Sequence, residues 1–163
     1  MIVVADTSPL RYLVLIQHID VLPTLYGRVI VPPAVMAELA HEHTPALVRA
    51  WLADQPSWLD VQAAKKAMTT PAVTLGPGEL AAIALAEELF ADALLIDDRD
   101  GRREAARRRL PVLGTLRVLA DAAEQGLLHL RVAFDRLAHT NFRADEQLVH
   151  RLLAIDAARR TKQ

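Results

Sequence analysis

The chain alternates short strand-like runs with longer segments of helical periodicity, and this alternation restricts the fold more than any other feature. The strand-like runs lie at residues 2–5, 28–31, 93–96 and 111–113, with a short edge strand at 58–62. Strands separated by helix-length segments pair in parallel through crossover helices. We therefore predict an α/β domain built on a parallel sheet of four or five strands.

Helices are predicted between these strands and after the last of them. Gly27 and Gly126 follow two helical segments and act as natural helix stops. Residues 65–78 form the least regular loop, and two further helical patterns occupy residues 130–138 and 145–159. No repeat or linker divides the 163 residues, so we expect a single domain.

Composition excludes several classes of protein. The chain has no cysteine, which removes disulfides, thiolate metal sites and cysteine nucleophiles together. A formal net charge of -1 gives no overall attraction to nucleic acid, so such a partner needs local basic patches. Apolar runs are too short to span a membrane, and Met1 leads directly into a strand without a signal-peptide layout. We expect a cytoplasmic protein without a membrane partner.

Acidic residues occur where such a sheet would bring its strand ends together. Asp6 directly follows the first strand, and Asp97 and Asp98 directly follow the strand at 93–96. Glu38 lies about two helical turns beyond the second strand, and Glu79 begins a predicted helix at 79–90. Strand ends and helix starts in a parallel sheet face a common crevice. Carboxylates gathered there repel one another unless a cation lies among them, and their oxygens suit Mg²⁺ or Mn²⁺. The pattern indicates metal-dependent phosphodiester chemistry.

Each of these acids, taken alone, also has an ordinary structural explanation. Asp6 could cap a helix, and Glu38 could lie on a solvated helix face. Glu79 could interact with a helix dipole, and the segment 97–100 could be a polar turn. Ser8 is the better-placed N-cap of the first helix, so we expect Asp6 to face the crevice. The coincidence of all of them at the sheet edge favours a shared site.

Hydroxyl and basic side chains accompany the acids. Thr7 and Ser8 directly follow Asp6, and we expect them to hold a metal-bound water or a phosphate oxygen. Residues 101–109 are rich in arginine, and such a run is usually a solvated helix face. Arg102 differs because it lies one turn from Asp98, where it is in position to pair with a site carboxylate or a phosphate.

His41 and His43 resemble a metal pair only superficially. Side chains two residues apart do not share a helix face, and neither histidine follows a known ligand spacing. We interpret them as a polar helix end.

Several of these segments together resemble the PIN-domain family, in its prokaryotic branch akin to the VapC toxins. The segments are residues 2–10 (IVVADTSPL), 27–35 (GRVIVPPAV) with Glu38, Gly78-Glu79, 95–99 (LIDDR) with Gly101-Arg102, and 114–116 (GTL). The resemblance is specific to about Gly126 and looser beyond it. It implies a three-layer α/β/α fold over residues 1–163, with a core at 1–126 and C-terminal helices at 127–163.

The resemblance also implies roles for particular residues. Asp6, Glu38, Glu79 and Asp98 match the family's acidic quartet, with Asp97 competing for the fourth place. Family members are typically Mg²⁺- or Mn²⁺-dependent ribonucleases, and toxin members pair with an antitoxin encoded beside them. Many active toxins carry Asp at the third position, where this chain has Glu79.

On this reading the acidic residues bind the metal and the neighbouring polar residues bind RNA. The quartet would hold one ion or two. Thr7, Ser8 and Thr115 would orient water or substrate, and Arg102 would offset phosphate charge. Apolar residues in the helices at 10–16 and 35–52 exceed what one buried face needs, which predicts a homodimer that also accepts an antitoxin segment.

Two other functions compete with the nuclease hypothesis. The first is a PIN-like module that binds RNA or a protein without cutting. The second is a phosphoryl-transfer domain built on Asp6, which would need a second aspartate two residues later, where Ser8 stands.

Overall fold

The computed structural model describes residues 1–68 and 70–163, and a five-stranded parallel sheet lies at its centre. The strands are β1 (Val3–Ala5), β2 (Val29–Val31), β3 (Leu59–Val61), β4 (Ala93–Leu95) and β5 (Val112–Leu113). They are ordered β3-β2-β1-β4-β5, with Val4 of β1 aligned with Ile30 of β2 and Leu94 of β4. The predicted parallel sheet is confirmed, and β3 is an edge strand as expected.

Helices connect the strands and cover both faces of the sheet. The helices in the described ranges are α1 (Thr7–Leu15), α2 (Val21–Tyr26), α3 (Pro33–Ala40), α4 (Ala46–Ala53), α5 (Pro77–Glu88), α6 (Arg99–Arg107), α7 (Thr115–Glu124), α8 (Leu130–Ala138) and α9 (Glu146–Arg160). Gly27 ends α2 with a φ of 73°, a conformation that glycine adopts at little cost. Residue 69, within the predicted loop at 65–78, lies outside the described residues.

The start of α1 differs from the prediction. The helix begins at Thr7, so Asp6 and not Ser8 occupies the N-cap position. The Asp6 side chain makes no capping hydrogen bond. Its carboxylate is therefore not used as the helix cap, although the reason given for this, a cap at Ser8, was wrong.

Alternate residues of the strands enter two separate hydrophobic cores. Val3 and Ala5 point into the larger core, which α1, α7 and α8 cover. Val4 and Leu94 point into the smaller core beneath α5 and α6. Side chains of successive strand residues face opposite sides of a sheet, so these two cores give the three α/β/α layers.

The order of the strands determines where a site can form. β1 and β4 are adjacent although α1 to α5 separate them in sequence, so the direction of winding reverses between them. Ligands of open α/β sheets bind outside the carboxyl ends of the strands at this reversal. Asp6 and Asp97 follow those two strands.

The C-terminal helices pack against α7. Leu137 of α8 and Leu152 of α9 are buried in the larger core, and Arg159 donates to the backbone oxygen of Ala123 at 2.9 Å. Within residues 1–68 and 70–163, no helix has both the length and the apolar content needed to cross a membrane.

Candidate active site

Asp6 lies at the centre of the carboxyl edge of the sheet. Its backbone N–H donates to the Leu95 oxygen at 2.9 Å, which joins the residue to the end of β4. The apolar strand before it and α1 after it leave Asp6 only 4% exposed. A carboxylate is seldom buried so deeply without a partner of opposite charge.

The surroundings of Asp6 are electrostatically unfavourable for a carboxylate. Burial is the main cause that raises the pKa of Asp6 to about 7, and nearby Glu79, Glu38 and Asp97 raise it further. Only the backbone N–H of Thr7 opposes this shift. Among the described residues, no basic side chain forms an ion pair with Asp6. Four carboxylates from separate segments of the chain therefore lie close enough to interact.

Glu38 is held by groups from two other helices. Thr7 Oγ1 donates to its Oε2, and the Gly78 N–H donates to its Oε1 at 2.9 Å. A Cβ on Gly78 would lie 2.5 Å from Glu38 Oε2, so only glycine lets α5 approach this closely. These contacts position Glu38 between α1 and α5.

Glu79 serves its own helix and also belongs to the acidic cluster. Its Oε2 accepts a hydrogen bond from the Gly76 N–H at 3.0 Å, which caps α5. Burial is the largest cause of the raised pKa of Glu79, and the hydrogen bond from Gly76 opposes it. Repulsion from Asp98, Glu38 and Asp100 raises the pKa further. Glu79 thus has a structural role as a cap of its own helix, and this does not exclude a role in the site. Asp100 was not predicted, although it stands two residues beyond Asp98.

The adjacent acids Asp97 and Asp98 face different neighbours. Asp97 accepts hydrogen bonds from the Thr115 N–H and Oγ1, both at 2.7 Å. Burial raises the pKa of Asp97, while the Thr115 bonds and the positive charge of Arg102 lower it. Asp98 is exposed and caps α6, accepting from the Gly101 N–H at 2.8 Å. Asp97 therefore interacts with Asp6, and Asp98 interacts with Glu79.

The predicted substrate-binding residues also lie near the acidic cluster. Thr115 is fully buried and fixes Asp97, and Thr7 fixes Glu38. A Cβ on Gly114 would lie 2.8 Å from Arg102 Nη1 and 3.2 Å from Asp97 Oδ1, so Arg102 extends toward Asp97. Ser8 lines a cavity of about 650 Å³ that also contacts Asp6, Glu38 and Glu79.

That cavity is also lined by Arg11, His41 and His43, which sequence reasoning did not assign to the site. The two histidines had been interpreted as a polar helix end, and Arg11 had not been considered. Arg11 Nε is buried and makes no hydrogen bond within the described residues. Arg11 stands four residues after Thr7 on the same helix face, a spacing that would have revealed it. His41 is the residue that ends α3, as predicted, and its ring lies 5.1 Å from that of His43.

The donor set suits a divalent metal ion in its chemistry. Carboxylate oxygens are the ligands that Mg²⁺ and Mn²⁺ prefer. Within residues 1–68 and 70–163, Asp6 is buried beside like charges and forms no ion pair, and a divalent ion would supply the positive charge. In the part of the chain described, no three acidic, histidine or cysteine side chains converge closely enough to coordinate one ion. Glu38 and Glu79 are turned toward backbone N–H groups instead.

Comparison with known proteins identifies the family. The profile described as "DUF3368: PIN domain" matches residues 2–157. The chain belongs to the PIN-domain family. PIN domains are generally nucleases that use divalent metals.

A solved structure of this fold gives the same architecture. A PilT N-terminus domain protein from the hyperthermophilic archaeon Sulfolobus solfataricus is similar to 76% of this chain and 95% of its own. The TM-score is 0.54 and the sequence identity is 18%, so this similarity concerns the fold alone. None of the curated proteins matches the chain.

Proposed function

We propose that the chain is a metal-dependent endoribonuclease that hydrolyses RNA phosphodiester bonds. One observation carries the proposal: Asp6 is 4% exposed, has a pKa raised to about 7, and interacts with carboxylates rather than cations. Burying a charged carboxylate without a partner costs roughly several kcal/mol of desolvation free energy. Such a cost at the winding reversal of the sheet is typical of a functional site.

Four carboxylates are the proposed metal ligands. They are Asp6, Glu38, Glu79 and Asp98, with Asp97 as the alternative to Asp98. When bound, a divalent ion lowers the pKa of a coordinated water and polarises the phosphate.

The remaining residues position these ligands and the substrate. Thr7 and the Gly78 N–H hold the Glu38 carboxylate between α1 and α5. Thr115 fixes Asp97 in the same way. Arg102 extends toward Asp97 and is in position to offset the charge of a phosphate, while Ser8 offers a hydroxyl to the cavity.

Metal binding is tested by thermal denaturation. Mg²⁺ or Mn²⁺ should raise the Tm of the native chain, because an ion that binds only the folded state at 100 times its Kd adds about 2.7 kcal/mol. Asp6→Asn should show little response. Asp54→Asn makes the same change in charge at an exposed position, and it should respond as the native chain does. Equal responses in all three proteins would contradict the site.

The resemblance to the toxin branch extends the proposal to a toxin paired with an antitoxin encoded beside it. Induced expression of the native chain should then arrest cell growth, whereas Asp6→Asn should not. Co-expression of the neighbouring gene should restore growth. If cells grow normally although their RNA is cleaved, the chain is a nuclease but not a toxin.

The predicted homodimer has less support from the packing. The apolar residues of α1, α3 and α4 are largely used inside the chain, where Leu10, Leu39 and Val48 are fully buried. Leu47 of α4 is 49% exposed and remains available to a partner. Light scattering should give twice the 18.0 kDa of the chain if the dimer exists.

A binding module without activity is the second candidate. It is favoured by the present arrangement, in which Glu38 and Glu79 bind backbone N–H groups and the described acids do not converge on one ion. If the native chain binds RNA with Mn²⁺ yet cuts nothing in a total cellular RNA pool, this reading is correct. Glu79→Asp would then be the first substitution to test for recovery of cleavage.

A further inference from the structure

A second cavity, of about 960 Å³, has Asp97 on its wall and extends away from the acidic cluster. Its walls come from α6, from β5 and α7, and from the C-terminal segment leading into α9. Five arginines line it: Arg99, Arg102, Arg117, Arg143 and Arg151. We call this cavity the arginine groove. The chain as a whole carries a formal charge of -1, so the groove concentrates positive charge in one place.

The acidic residues of the groove are already engaged. Asp121 pairs with Arg117 at 2.8 Å, and Asp145 accepts from the N–H groups of Gln147 and Leu148 to cap α9. Asp97 is bound to Thr115, as described above.

Most of the groove arginines, by contrast, have no anionic partner. Across residues 1–68 and 70–163, no ion pair within 4 Å involves Arg99, Arg102, Arg143 or Arg151. Arg102 extends toward Asp97, whose pKa its charge lowers. The guanidinium groups of Arg99, Arg143 and Arg151 are therefore the ones most available to an anionic ligand.

The outer wall of the groove is fixed to the body of the domain. The Phe142 ring packs edge-on against Tyr12 of α1 at a centroid distance of 5.0 Å. Tyr12 also donates a hydrogen bond to Asn141 Oδ1 at 2.8 Å. Arg143 follows directly, so the segment that carries it is held to α1 by two separate contacts.

We propose that the arginine groove binds the sugar-phosphate backbone of single-stranded RNA and directs it to the acidic cluster. This inference rests on the proposed function and deepens it, because it assigns the C-terminal segment to substrate binding. Guanidinium groups bind phosphates in bidentate fashion, and several of them along one groove match the repeated charge of a nucleic-acid strand. Phe142 adds an aromatic ring to the wall, as strand-binding grooves commonly do.

The position of the groove favours RNA over an acidic protein. Asp97 belongs both to the groove wall and to the acidic cluster, and Asp6, Glu38 and Glu79 line the 650 Å³ cavity beyond. A strand leaving the arginine groove therefore reaches the proposed metal ligands directly. The proposed metal ligands act on RNA phosphates, whereas an acidic peptide has no function at a cluster of carboxylates.

The test measures binding separately from cleavage. A fluorescently labelled oligouridine is titrated with Arg143→Ala/Arg151→Ala at several salt concentrations, in a chain that also carries Asp6→Asn. Arg103→Ala/Arg131→Ala is the matched control, because both arginines are exposed and neither lines the groove. The groove variant should bind roughly tenfold more weakly, and its slope of log K against log salt should fall by about 1.4, since each phosphate contact on a single strand contributes about 0.7. The control should change neither.

Every outcome decides the inference. Equal losses in the groove and control variants would overturn it, as would a groove variant with unchanged affinity and slope. If polyglutamate, but not oligouridine, depends on Arg143 and Arg151, the groove binds acidic protein and the inference is wrong. If RNA binding depends on the groove but the chain with Asp6 intact does not cleave RNA, the groove inference holds and the proposed nuclease function is wrong. If cleavage is unaffected by loss of the two arginines, the nuclease function holds and the groove inference is wrong.

Discussion

The carboxylates of Asp6 and Glu104 are both almost completely buried, but their surroundings differ in the sign of the charge that they supply. Asp6 at the sheet edge is 4% exposed and Glu104 in α6 is 1% exposed. The pKa of Glu104 is lowered to about 2, mainly by side-chain hydrogen bonds from Arg107. Burial opposes this shift, and hydrogen bonds from Arg108 add to it. Burial and neighbouring acids instead raise the pKa of Asp6 to about 7.

The partners explain the difference. Glu104 Oε1 accepts from Arg107 at 2.6 Å and from Arg108 at 2.8 Å, and its Oε2 accepts from the Ala72 N–H at 3.2 Å. The chain itself thus supplies the positive charge that Glu104 needs. Near Asp6 the chain supplies more negative charge, which the proposed divalent ion would offset. Depth of burial alone therefore does not distinguish a structural acid from a candidate site residue; the charge of the neighbouring groups does.

The largest expected difference between the two regions is in catalysis. Asp6→Asn and Asp98→Asn should reduce RNA cleavage below detection, because each removes a proposed metal ligand. Glu104→Gln should leave cleavage per folded molecule unchanged. RNA binding by Asp98→Asn should be equal to or slightly tighter than that of the native chain, since one negative charge is gone.

Cleavage of total RNA and binding of oligouridine are measured on the same preparations. Asp97→Asn, assayed beside Asp98→Asn, decides which of the adjacent acids belongs to the quartet. Loss of cleavage in Glu104→Gln at normal folding would contradict the division into a structural and a functional acid.

The next largest effect is on stability, where the two regions should respond with opposite signs. Glu104→Gln should lower the Tm by several degrees, because the Arg108 side chain is only 7% exposed and loses a buried anionic partner. Asp6→Asn, in buffer with chelator at pH 8, should raise the Tm because it removes a buried, repelled charge. Calorimetry with Asp54→Asn as an exposed control checks both, and a lower Tm for both variants would break the comparison.

A smaller effect is expected where glycine positions a site carboxylate. Gly78→Ala places a Cβ 2.5 Å from Glu38 Oε2 and should displace the carboxylate, lowering cleavage by roughly tenfold, as loss of a ligand's supporting partner does. Gly76→Ala is the control, because its Cβ would lie 3.8 Å from Glu79 Oε2, an ordinary contact. If both variants cleave equally well, the Gly78 contact with Glu38 does not matter for activity.

Local sequence patterns were enough to predict the elements and the edge at which the acids gather. Strand ends and helix starts depend on neighbouring residues, so the positions of Asp6, Glu79 and Asp98 relative to their elements could be predicted. The exact start of α1 could not, because the shift from Ser8 to Asp6 at the N-cap is only two residues and helix boundaries are weakly encoded.

The contacts that distinguish the two carboxylate regions were not predictable, because they join distant parts of the chain. Glu38 and the Gly78 N–H are 40 residues apart, and Glu104 and the Ala72 N–H are 32 apart. In segment 101–109 the sequence distinguished Arg102, which lies one turn from Asp98, but it did not distinguish Arg107 and Arg108 from the other arginines. Only packing shows that these two bind Glu104.

The most gradual effect is expected in the pH dependence of stability, measured without metal. The pKa of Asp6 rises from 3.8 to about 7 on folding, so between about pH 4 and pH 7 the folded chain binds more protons than the unfolded chain. Stability should therefore fall as pH rises through this window, by at most about 1.4 kcal/mol per pH unit, and Asp6→Asn should lack this fall. The pKa of Glu104 moves from 4.5 to about 2, so its contribution is present above about pH 4.5 and is lost as pH falls toward 2. Urea denaturation of the native chain and both variants from pH 3 to 8 gives the two differences directly. Parallel curves for the native chain and Asp6→Asn above pH 4 would mean that Asp6 has a counter-charge after all, and the contrast with Glu104 would disappear.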